Sequence, residues 1–390
     1  MLRVTLLAAL AGLIVACAGG GDSSAPAPAP APSGPAPSAP AESPIAPVTF
    51  EYANPVAEGD AQAYAKTVGP WMDLVTSATD GAVTFRSSHG GSLLTHADMF
   101  EGVGGGLADL GSAQVSLNPT DFPLWVLSGM HDPELGSRID AYQQTMITRL
   151  MMDAVPDLEG ELEASNIKML FSIASSPHHL LTRFPFAELD DLRGKQIRTY
   201  GRFMPTLFES AGATPVTLPP NEIYSAFDRG VVDGAYTLPA AFVGLGIYEV
   251  AEQLTLVGNG TTPPLNAGFH LTINRGVWES LDNRVKVAML EAARQMERQY
   301  SQSDVPSDEA AAIVTMREAG LTIAEMSDAD IARWSAAYPD LWTPFAAELD
   351  AAGLAGTALV RTYLELVTLE PGEIERRYDA LWDAMIAQYR

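Results

Sequence analysis

Arg198 is the side chain best suited to bind an anion, because a guanidinium keeps its charge even when it is desolvated. It lies near the end of a β-branched and basic run over residues 195–200, which predicts a strand that stops at Gly201. Parallel sheets bind their ligands beyond the carboxyl ends of the strands. We therefore expect the Arg198 guanidinium to point at a ligand.

The segments around Arg198 form an alternating strand–helix pattern that predicts the frame in which this side chain is held. After the Arg198 strand, the sequence predicts a helix with Pro205 in its first turn and Gly212 as its stop, a strand over 214–218, a helix from Asn221 to Gly230, and a strand over 231–236. This β-α-β-α-β order is typical of a parallel sheet covered by helices.

A second β-α-β-α-β run comes earlier in the chain and supplies further polar candidates. It predicts strands over 48–53, 83–86 and 108–113, a helix through 64–75 that kinks or starts late at Pro70, and a helix over 93–103. Asn54 and Gln114 follow the first and third of these strands, so both could face the same cleft as Arg198. Arg183, at the end of an extended run over 179–183, is a second cationic candidate.

The charge of the chain limits its partners. A formal net charge of −25 argues against nucleic acid, because phosphates would be repelled. Residues 181–230 are neutral, with six basic and six acidic side chains. A buried arginine there could hold an anion, but solvent screens the bulk charge within about 8 Å, so long-range steering contributes little.

Catalytic and metal sites find little support. His178 and His179 are neighbours on an extended segment and point to opposite faces, so they do not readily share a metal. The other histidines lack metal-ligand spacing, and neither a P-loop nor a GxSxG elbow occurs. The glycine cluster at 102–106 precedes a strand and is interpreted as a helix stop. No metal and no cofactor is predicted.

The first residues resemble an export signal. An apolar run over 5–16 follows Arg3 and ends in Ile14-Val15-Ala16-Cys17, which matches the lipobox of bacterial lipoproteins. Cys17 is the only cysteine, so we expect it to carry lipid; an ordinary secretory signal is the alternative. Residues 25–47 contain nine prolines and predict an extended tether rather than a folded segment.

The second half of the chain predicts a return to the first lobe and a helical tail. A strand over 266–274 is followed by one long amphipathic helix through Trp278 and Met296. Ser327 caps another helix, and apolar spacing predicts two more over 359–366 and 378–386. A chain that crosses between lobes more than once is typical of a hinged two-lobe binding protein.

Several motifs carry a resemblance to a known family. They read D-L-x-G-x-x-I-R at 191–198, A-G-A-T-P-V at 211–216, N-E-I-Y-S-A-F at 221–227 and G-V-V-D-G at 230–234. Over residues 48–334 the chain resembles the solute-binding proteins of tripartite ATP-independent periplasmic (TRAP) transporters. The resemblance implies an α/β, periplasmic-binding-protein-like fold of two lobes joined by hinge strands, here with long C-terminal helices.

The resemblance also implies roles for single residues. Arg198 matches an arginine that pairs bidentately with a ligand carboxylate, and Arg183 matches a second arginine that contacts the ligand. Asn54 and Gln114 match polar positions after the first and third strands. Thr237 stands where many members have asparagine; beside it, Tyr236 would form an aromatic wall of the pocket. This departure disfavours a simple C4-dicarboxylate and leaves a monocarboxylate or keto acid open.

We therefore expect a lipid-anchored periplasmic receptor, not an enzyme, that delivers a small organic acid to a membrane permease. Two alternatives are a lipoprotein enzyme acting on organic acids or glycans, and a sensory ligand-binding subunit. The expected segments are a signal peptide over 1–16, a lipidated tether over 17–47, lobe I over 48–177, lobe II over 178–265, a return to lobe I over 266–305, and lobe II with the C-terminal helices over 306–390.

Overall fold

The computed structural model describes residues 43–56, 64–115, 118–218, 222–258, 264–265 and 268–390. The predicted signal peptide, Cys17 and most of the predicted tether lie outside these residues. The strands are β1 Val48–Ala53, β2 Val83–Ser88, β3 Leu110–Ala113, β4 Ile167–Ser172, β5 His179–Thr182, β6 Gln196–Thr199, β7 Thr214–Thr217, β8 Gly234–Thr237, β9 Gln253–Leu256, β10 His270–Asn274 and β11 Thr322–Glu325.

These strands form two sheets, one in each lobe. The first has the order β2-β1-β3-β10-β4, and the second has the order β11-β9-β5-β8-β6-β7. In each sheet the three strands of a β-α-β-α-β run are parallel: β2, β1 and β3 in the first, and β7, β6 and β8 in the second. The two predicted parallel units are therefore confirmed, as is the two-lobe α/β fold.

One strand in each sheet runs against its neighbours. Strand β10 is antiparallel to β3 and β4, and it returns the chain to the first lobe as predicted. Strand β5 is antiparallel to β8 and β9, so its amino end lies beside the carboxyl end of β8. This reversal decides which end of β5 faces the cleft.

The helices are α1 Gly69–Ala78, α2 Met99–Gly104, α3 Pro133–Ser137, α4 Ala141–Ala154, α5 Asp157–Ala164, α6 Met204–Ser210, α7 Ile223–Asp228, α8 Pro239–Gly244, α9 Arg275–Ser280, α10 Asn283–Gln299, α11 Val305–Glu318, α12 Asp328–Ala337, α13 Trp342–Ala351, α14 Gly356–Leu366 and α15 Pro371–Ala387. The late helix start at Pro70 is confirmed, because this proline lies in the first turn of α1 after a π-helical turn.

Two helix predictions were wrong in their bounds. The helix expected over 93–103 begins only at Met99, and α2 then ends in the glycine cluster as predicted. The single long helix expected through Trp278 and Met296 is two helices. Asp282 separates them, because its side chain accepts a hydrogen bond from the Arg284 N–H and caps α10.

The apolar cores follow the two sheets. One cluster surrounds the first sheet and includes side chains of α13, α14 and α15, so these C-terminal helices pack on the first lobe. The second sheet has a cluster on each face: Leu207, Phe208 and Trp334 lie on one side, and Phe227 and Met316 on the other. Ile45–Arg390 forms one compact unit. Among the residues described, no helix has the length and apolarity that a membrane span requires.

Candidate functional site

Two adjoining cavities lie where the sheets of the two lobes meet. The larger has a volume of about 850 Å³ and the smaller about 460 Å³. Gln114 and Ser175 of the first lobe and Leu238 and Ala241 of the second line both, so the cavities form one continuous cleft. The carboxyl ends of the parallel strands border it, as expected for this class of sheet.

Arg198 lies in the larger cavity with most of its side chain out of solvent. It follows Ile197 in β6, is 2% exposed, and donates a hydrogen bond from Nε to the Leu218 carbonyl oxygen at 3.0 Å. Its guanidinium carbon lies 5.0 Å from the ring centroid of Tyr200. The Nε bond fixes the plane of the guanidinium, which leaves its two terminal nitrogens available to a ligand.

The electrostatics of Arg198 point to a missing partner. Within the part of the chain that the structure describes, no carboxylate lies within ion-pair distance of its guanidinium. Burial lowers the pKa of Arg198, and only the Tyr200 hydroxyl acts in the opposite direction. A buried cation without an acid is costly, so this site favours an anion from solution.

A cluster of aromatic side chains supports Arg198 from behind. The Tyr200 hydroxyl and His178 Nε2 lie 2.6 Å apart, and the His178 ring packs edge-on against His131 at 4.9 Å between centroids. Burial, with His131, His179 and Arg198 nearby, holds the pKa of His178 well below its usual value, and burial raises the pKa of Tyr200 to about 12. Both side chains are therefore neutral near pH 7.

The sequence contained a signal for one of these supporting residues. Tyr200 stands two positions after Arg198 in an extended segment, which places the two side chains on one face. His178 was considered only as a metal ligand. Its place in the cleft depends on the antiparallel direction of β5, which no local pattern predicts.

The side chains of Thr237 and Tyr236 lie on different sides of the second sheet. Thr237 is buried at the end of β8 and lines the larger cavity. Tyr236 does not line it. The Tyr236 ring packs against Phe208 and Trp334 in the core of the second lobe, with centroids 5.3 and 6.4 Å away. Tyr236, predicted to wall the pocket, lies in the core instead, because successive side chains of a strand point to opposite faces.

Arg183 follows the carboxyl end of β5, at the end of the second sheet away from the cleft, and lines neither cavity. Its backbone N–H bonds the Asp233 carbonyl oxygen at 2.9 Å, next to the amino end of β8, and its side chain packs near Gly230. The structure therefore places Arg183, for which a ligand contact was predicted, outside both cavities. Since β5 is antiparallel to β8, its carboxyl end points away from the cleft, and His178 at its amino end takes the place beside Arg198.

Asn54 and Gln114 lie in the cleft at the carboxyl ends of β1 and β3. Asn54 lines the smaller cavity, where its side-chain oxygen accepts the Val56 N–H at 3.1 Å and its amide nitrogen lies 3.3 Å from His89 Nδ1. Gln114 lines both cavities. The structure thus brings Gln114, Thr237 and Arg198 around one cavity and places Asn54 in its neighbour.

Helix α13 forms a wall of the larger cavity that the sequence did not predict. It contributes Phe345, Glu348 and Leu349. The Arg202 guanidinium pairs with Glu348 in a two-pronged ion pair, in which Nη1 donates to Oε1 at 2.9 Å and Nη2 contacts Oε2. The Phe203 ring packs edge-on against Phe345 at 5.4 Å. The loop after β6 therefore links the second lobe to the C-terminal helices.

The histidines show no arrangement that would hold a metal. His178 and His179 have different partners, since His179 Nε2 lies 3.0 Å from Glu309 Oε1 and its Nδ1 accepts the Val257 N–H at 3.1 Å. Across the described ranges, no group of three or more His, Cys, Asp or Glu side chains could hold an ion.

Known proteins share this fold and these sequence features. The model of the family described as bacterial extracellular solute-binding protein, family 7, matches residues 56–349. A solute-binding protein of Sulfitobacter sp. (strain NAS-14.1) is 26% identical over 275 residues, which cover 69% of this chain and 79% of that protein.

Solved structures match over most of the folded part. A TRAP periplasmic solute-binding protein from Desulfovibrio salexigens aligns with a TM-score of 0.70 at 23% identity, over 83% of this chain and 96% of that one. A marine metagenome TRAP solute-binding protein specific for aromatic acid ligands aligns with a TM-score of 0.70 at 22% identity, over 82% of this chain and 98% of that one. At these identities the likeness establishes the fold.

The family match covers most of the chain, and it agrees with the two-lobe architecture and the cleft between the sheets. Members of this family are extracytoplasmic solute-binding receptors and not enzymes. The chain belongs to the bacterial extracellular solute-binding protein family 7.

Proposed function

We propose that this receptor captures a small carboxylate-containing organic acid on Arg198 and delivers it to the membrane permease of a TRAP transporter. Gln114 and Thr237 shape the same cavity, and Asn54 contributes to the adjoining one. The two lobes close on the ligand by bending at the strands that join them, with residues 48–177 and 266–305 on one side and 178–265 on the other.

One observation carries the carboxylate proposal. Arg198 is buried in the cleft, and no described acid neutralises it. A planar guanidinium whose Nε is already bonded to Leu218 offers its terminal N–H groups in the geometry that matches two carboxylate oxygens. The relative of this fold that is specific for aromatic acids supports an acid ligand with a ring or other apolar portion.

The direct test compares Arg198→Ala with Arg183→Ala by thermal shift and calorimetry against a panel of organic acids. Each variant removes one arginine from the second sheet, and the two arginines lie at opposite ends of its strands. We expect Arg198→Ala to weaken binding at least about 30-fold, since truncating one partner of a buried charge pair costs about 2 kcal/mol or more. Arg183→Ala should bind like the parent protein. Normal binding by Arg198→Ala would exclude the clamp.

We further propose that Cys17 carries a lipid that holds the protein at the membrane, with residues 25–47 as tether. The lipobox at 14–17 supports this. Cys17→Ser should move the protein from the detergent phase to the aqueous phase on Triton X-114 partition, with ligand binding unchanged. An aqueous parent protein would contradict lipidation. For delivery, uptake of the bound acid into permease-containing proteoliposomes should require the added receptor.

A further inference from the structure

The larger cavity carries a single uncompensated charge among the residues that the structure describes. Arg198 is unpaired, whereas Arg202 and Glu348 neutralise each other in their two-pronged pair. Burial, with His131, His179 and Arg198 nearby, holds the pKa of His178 well below its usual value, so His178 is uncharged at neutral pH. The lining therefore offers one positive charge to a ligand.

The internal segments outside the described residues contain no second cation. None of the internal segments 57–63, 116–117, 219–221, 259–263 and 266–267 contains a lysine or an arginine. A diacid bound through Arg198 would therefore leave its second carboxylate without a cation. Removing an unpaired carboxylate from water costs far more than burying an apolar group of the same size returns.

The wall beyond Arg198 is apolar. Side chains from three places form it: Val126 from the first lobe, Ile223 from α7, and Phe345 with Leu349 from α13. A volume of about 850 Å³ lies within the range of cavities that enclose drug-sized ligands. Such a surface gains free energy by covering a ring or a hydrocarbon chain.

The position of Glu348 adds discrimination at the end of the cavity formed by α13. Glu348 lines the cavity beside Phe345, and its carboxylate pairs with Arg202. Because Glu348 already pairs with the Arg202 guanidinium, a second ligand carboxylate that reached this end would find no free cation. The apolar end of a monocarboxylate needs no cation there.

We propose that the ligand is a monocarboxylate with an extended apolar body, and that the cavity discriminates against dicarboxylates. The inference rests on the proposed function and deepens it: the carboxylate binds Arg198, and the apolar body lies against Phe345 and Leu349. Specificity arises because the cavity has one unpaired cation at one end and a largely apolar wall at the other, where Arg202 is already paired with Glu348.

Octanoate and octanedioate provide a matched test, because they have the same carbon chain and differ by one carboxylate. Calorimetric titration of the mature protein at pH 7.5 should show octanoate, and likewise 3-phenylpropionate, binding at least about tenfold more tightly than octanedioate or succinate, given the cost of burying an unpaired carboxylate. Arg198→Ala should abolish binding of the monocarboxylates.

A positive charge added to the wall should narrow this preference. Leu245 lines the larger cavity at the end of α8 and is 37% exposed, so Leu245→Lys is a substitution that the fold tolerates. It should improve octanedioate binding relative to octanoate by about tenfold or less, the range of an ion pair near the surface. Leu107→Lys is the matched control, since Leu107 is exposed and lines neither cavity. It should leave the ratio unchanged.

The outcomes separate the inference from the function on which it rests. If diacids bind as tightly as monocarboxylates and Arg198→Ala abolishes both, the ligand class is wrong and the carboxylate clamp stands. If only short hydrophilic acids bind, again through Arg198, the apolar body is wrong. If acids bind equally well to Arg198→Ala, both proposals fail.

Discussion

Two buried arginines in this molecule face opposite situations. Arg149 in α4 of the first lobe is 4% exposed, and Arg198 in the cleft is 2% exposed. Arg149 Nη2 contacts Glu297 Oε1 at 2.5 Å and the Leu170 carbonyl oxygen at 3.1 Å, and its guanidinium lies 4.7 Å from the Trp382 ring centroid. Arg198 has a carbonyl oxygen and a ring beside it, but no described acid.

The pKa of each arginine reflects this difference. Burial acts to lower the pKa of Arg149, but Glu297, together with Tyr378 and Glu159, more than offsets burial and the pKa is raised. Burial lowers the pKa of Arg198, and nothing of comparable strength opposes it. The comparison shows that burial alone does not distinguish a structural arginine from a binding arginine. The presence of an acid within the chain does.

The largest expected effect is on the paired arginine. Arg149→Met leaves the Glu297 carboxylate, 1% exposed, with only the Ser172 N–H and the Tyr378 hydroxyl as donors, each at 2.9 Å. Breaking a buried pair from one side should lower the free energy of unfolding by about 3–5 kcal/mol. Urea denaturation of the parent and variant measures this loss.

The double variant Arg149→Met with Glu297→Gln serves as the control, because it removes the uncompensated charge. It should regain most of the lost stability, as replacement of a whole buried ion pair is often neutral. If Arg149→Met were as stable as the parent protein, the Arg149–Glu297 pair would not stabilise the fold. Arg149 could then not serve as the structural arginine with which Arg198 is compared.

A buried acid without a cation offers a second way to sharpen the comparison. Glu161 in α5 accepts the Leu124 N–H at 3.0 Å. Burial raises its pKa to about 7; the Leu124 N–H opposes this rise and Asp157 adds to it. A buried acid can thus lose its charge by taking up a proton near neutral pH. Arginine stays charged when it is buried, so Arg198 needs an anion to compensate its charge.

The raised pKa of Glu161 predicts a pH dependence of stability. The folded state binds the proton more tightly than the unfolded state, so stability falls as pH rises from about 4.5 to about 7 and then levels off. Glu161→Gln should remove this decline and be more stable than the parent at pH 8 by on the order of 1–3 kcal/mol. If the melting temperatures of the parent and Glu161→Gln changed equally with pH, Glu161 would not be the group that takes up the proton.

Much of the fold could be predicted because its signals are local. Gly201, Gly212 and Gly230 all adopt positive φ at the ends of elements, where a residue without Cβ is favoured, and they marked the β-α-β-α-β unit correctly. Helix α13 was missed, although Asp340 stands just before it and its side chain accepts the Thr343 N–H at 3.1 Å. Its packing on the first lobe depends on distant contacts.

The site was predictable only in part, for a geometric reason. Arg198 and Thr237 lie at carboxyl ends of parallel strands, so the general rule for such sheets placed them in the cleft. Arg183 was misplaced because its strand runs in the opposite direction. Tyr236 was misplaced because the side-chain alternation of β8 sends it into the core. Strand direction and facing are set by pairings far apart in sequence.

The cleft arginine should respond to substitution in the opposite way to Arg149. Arg198→Met removes a buried charge that has no acid, so the ligand-free protein should keep its stability or gain up to about 1 kcal/mol, while acid binding is lost. Urea denaturation without ligand, together with calorimetry, tests both parts. A ligand-free variant destabilised as strongly as Arg149→Met would show that Arg198 is structural.

The smallest effect is expected for the exposed pair Arg202–Glu348. Its side chains are about half exposed, so its two-pronged geometry is opposed by solvent screening and by the entropy of two long side chains. A double-mutant cycle with Arg202→Met and Glu348→Gln should give a coupling energy of about 0.2–1 kcal/mol that shrinks in high salt.

The same double-mutant cycle, measured on ligand affinity, tells whether the Arg202–Glu348 contact is permanent or forms when the lobes close. Because this pair joins the loop after β6 to α13, which walls the cavity, a coupling that appears only with ligand bound would show that the contact forms on closure. An equal coupling energy with and without ligand would make the Arg202–Glu348 pair a permanent part of the wall. Arg198 would then remain the only described charge in the larger cavity that changes its partner when a ligand enters.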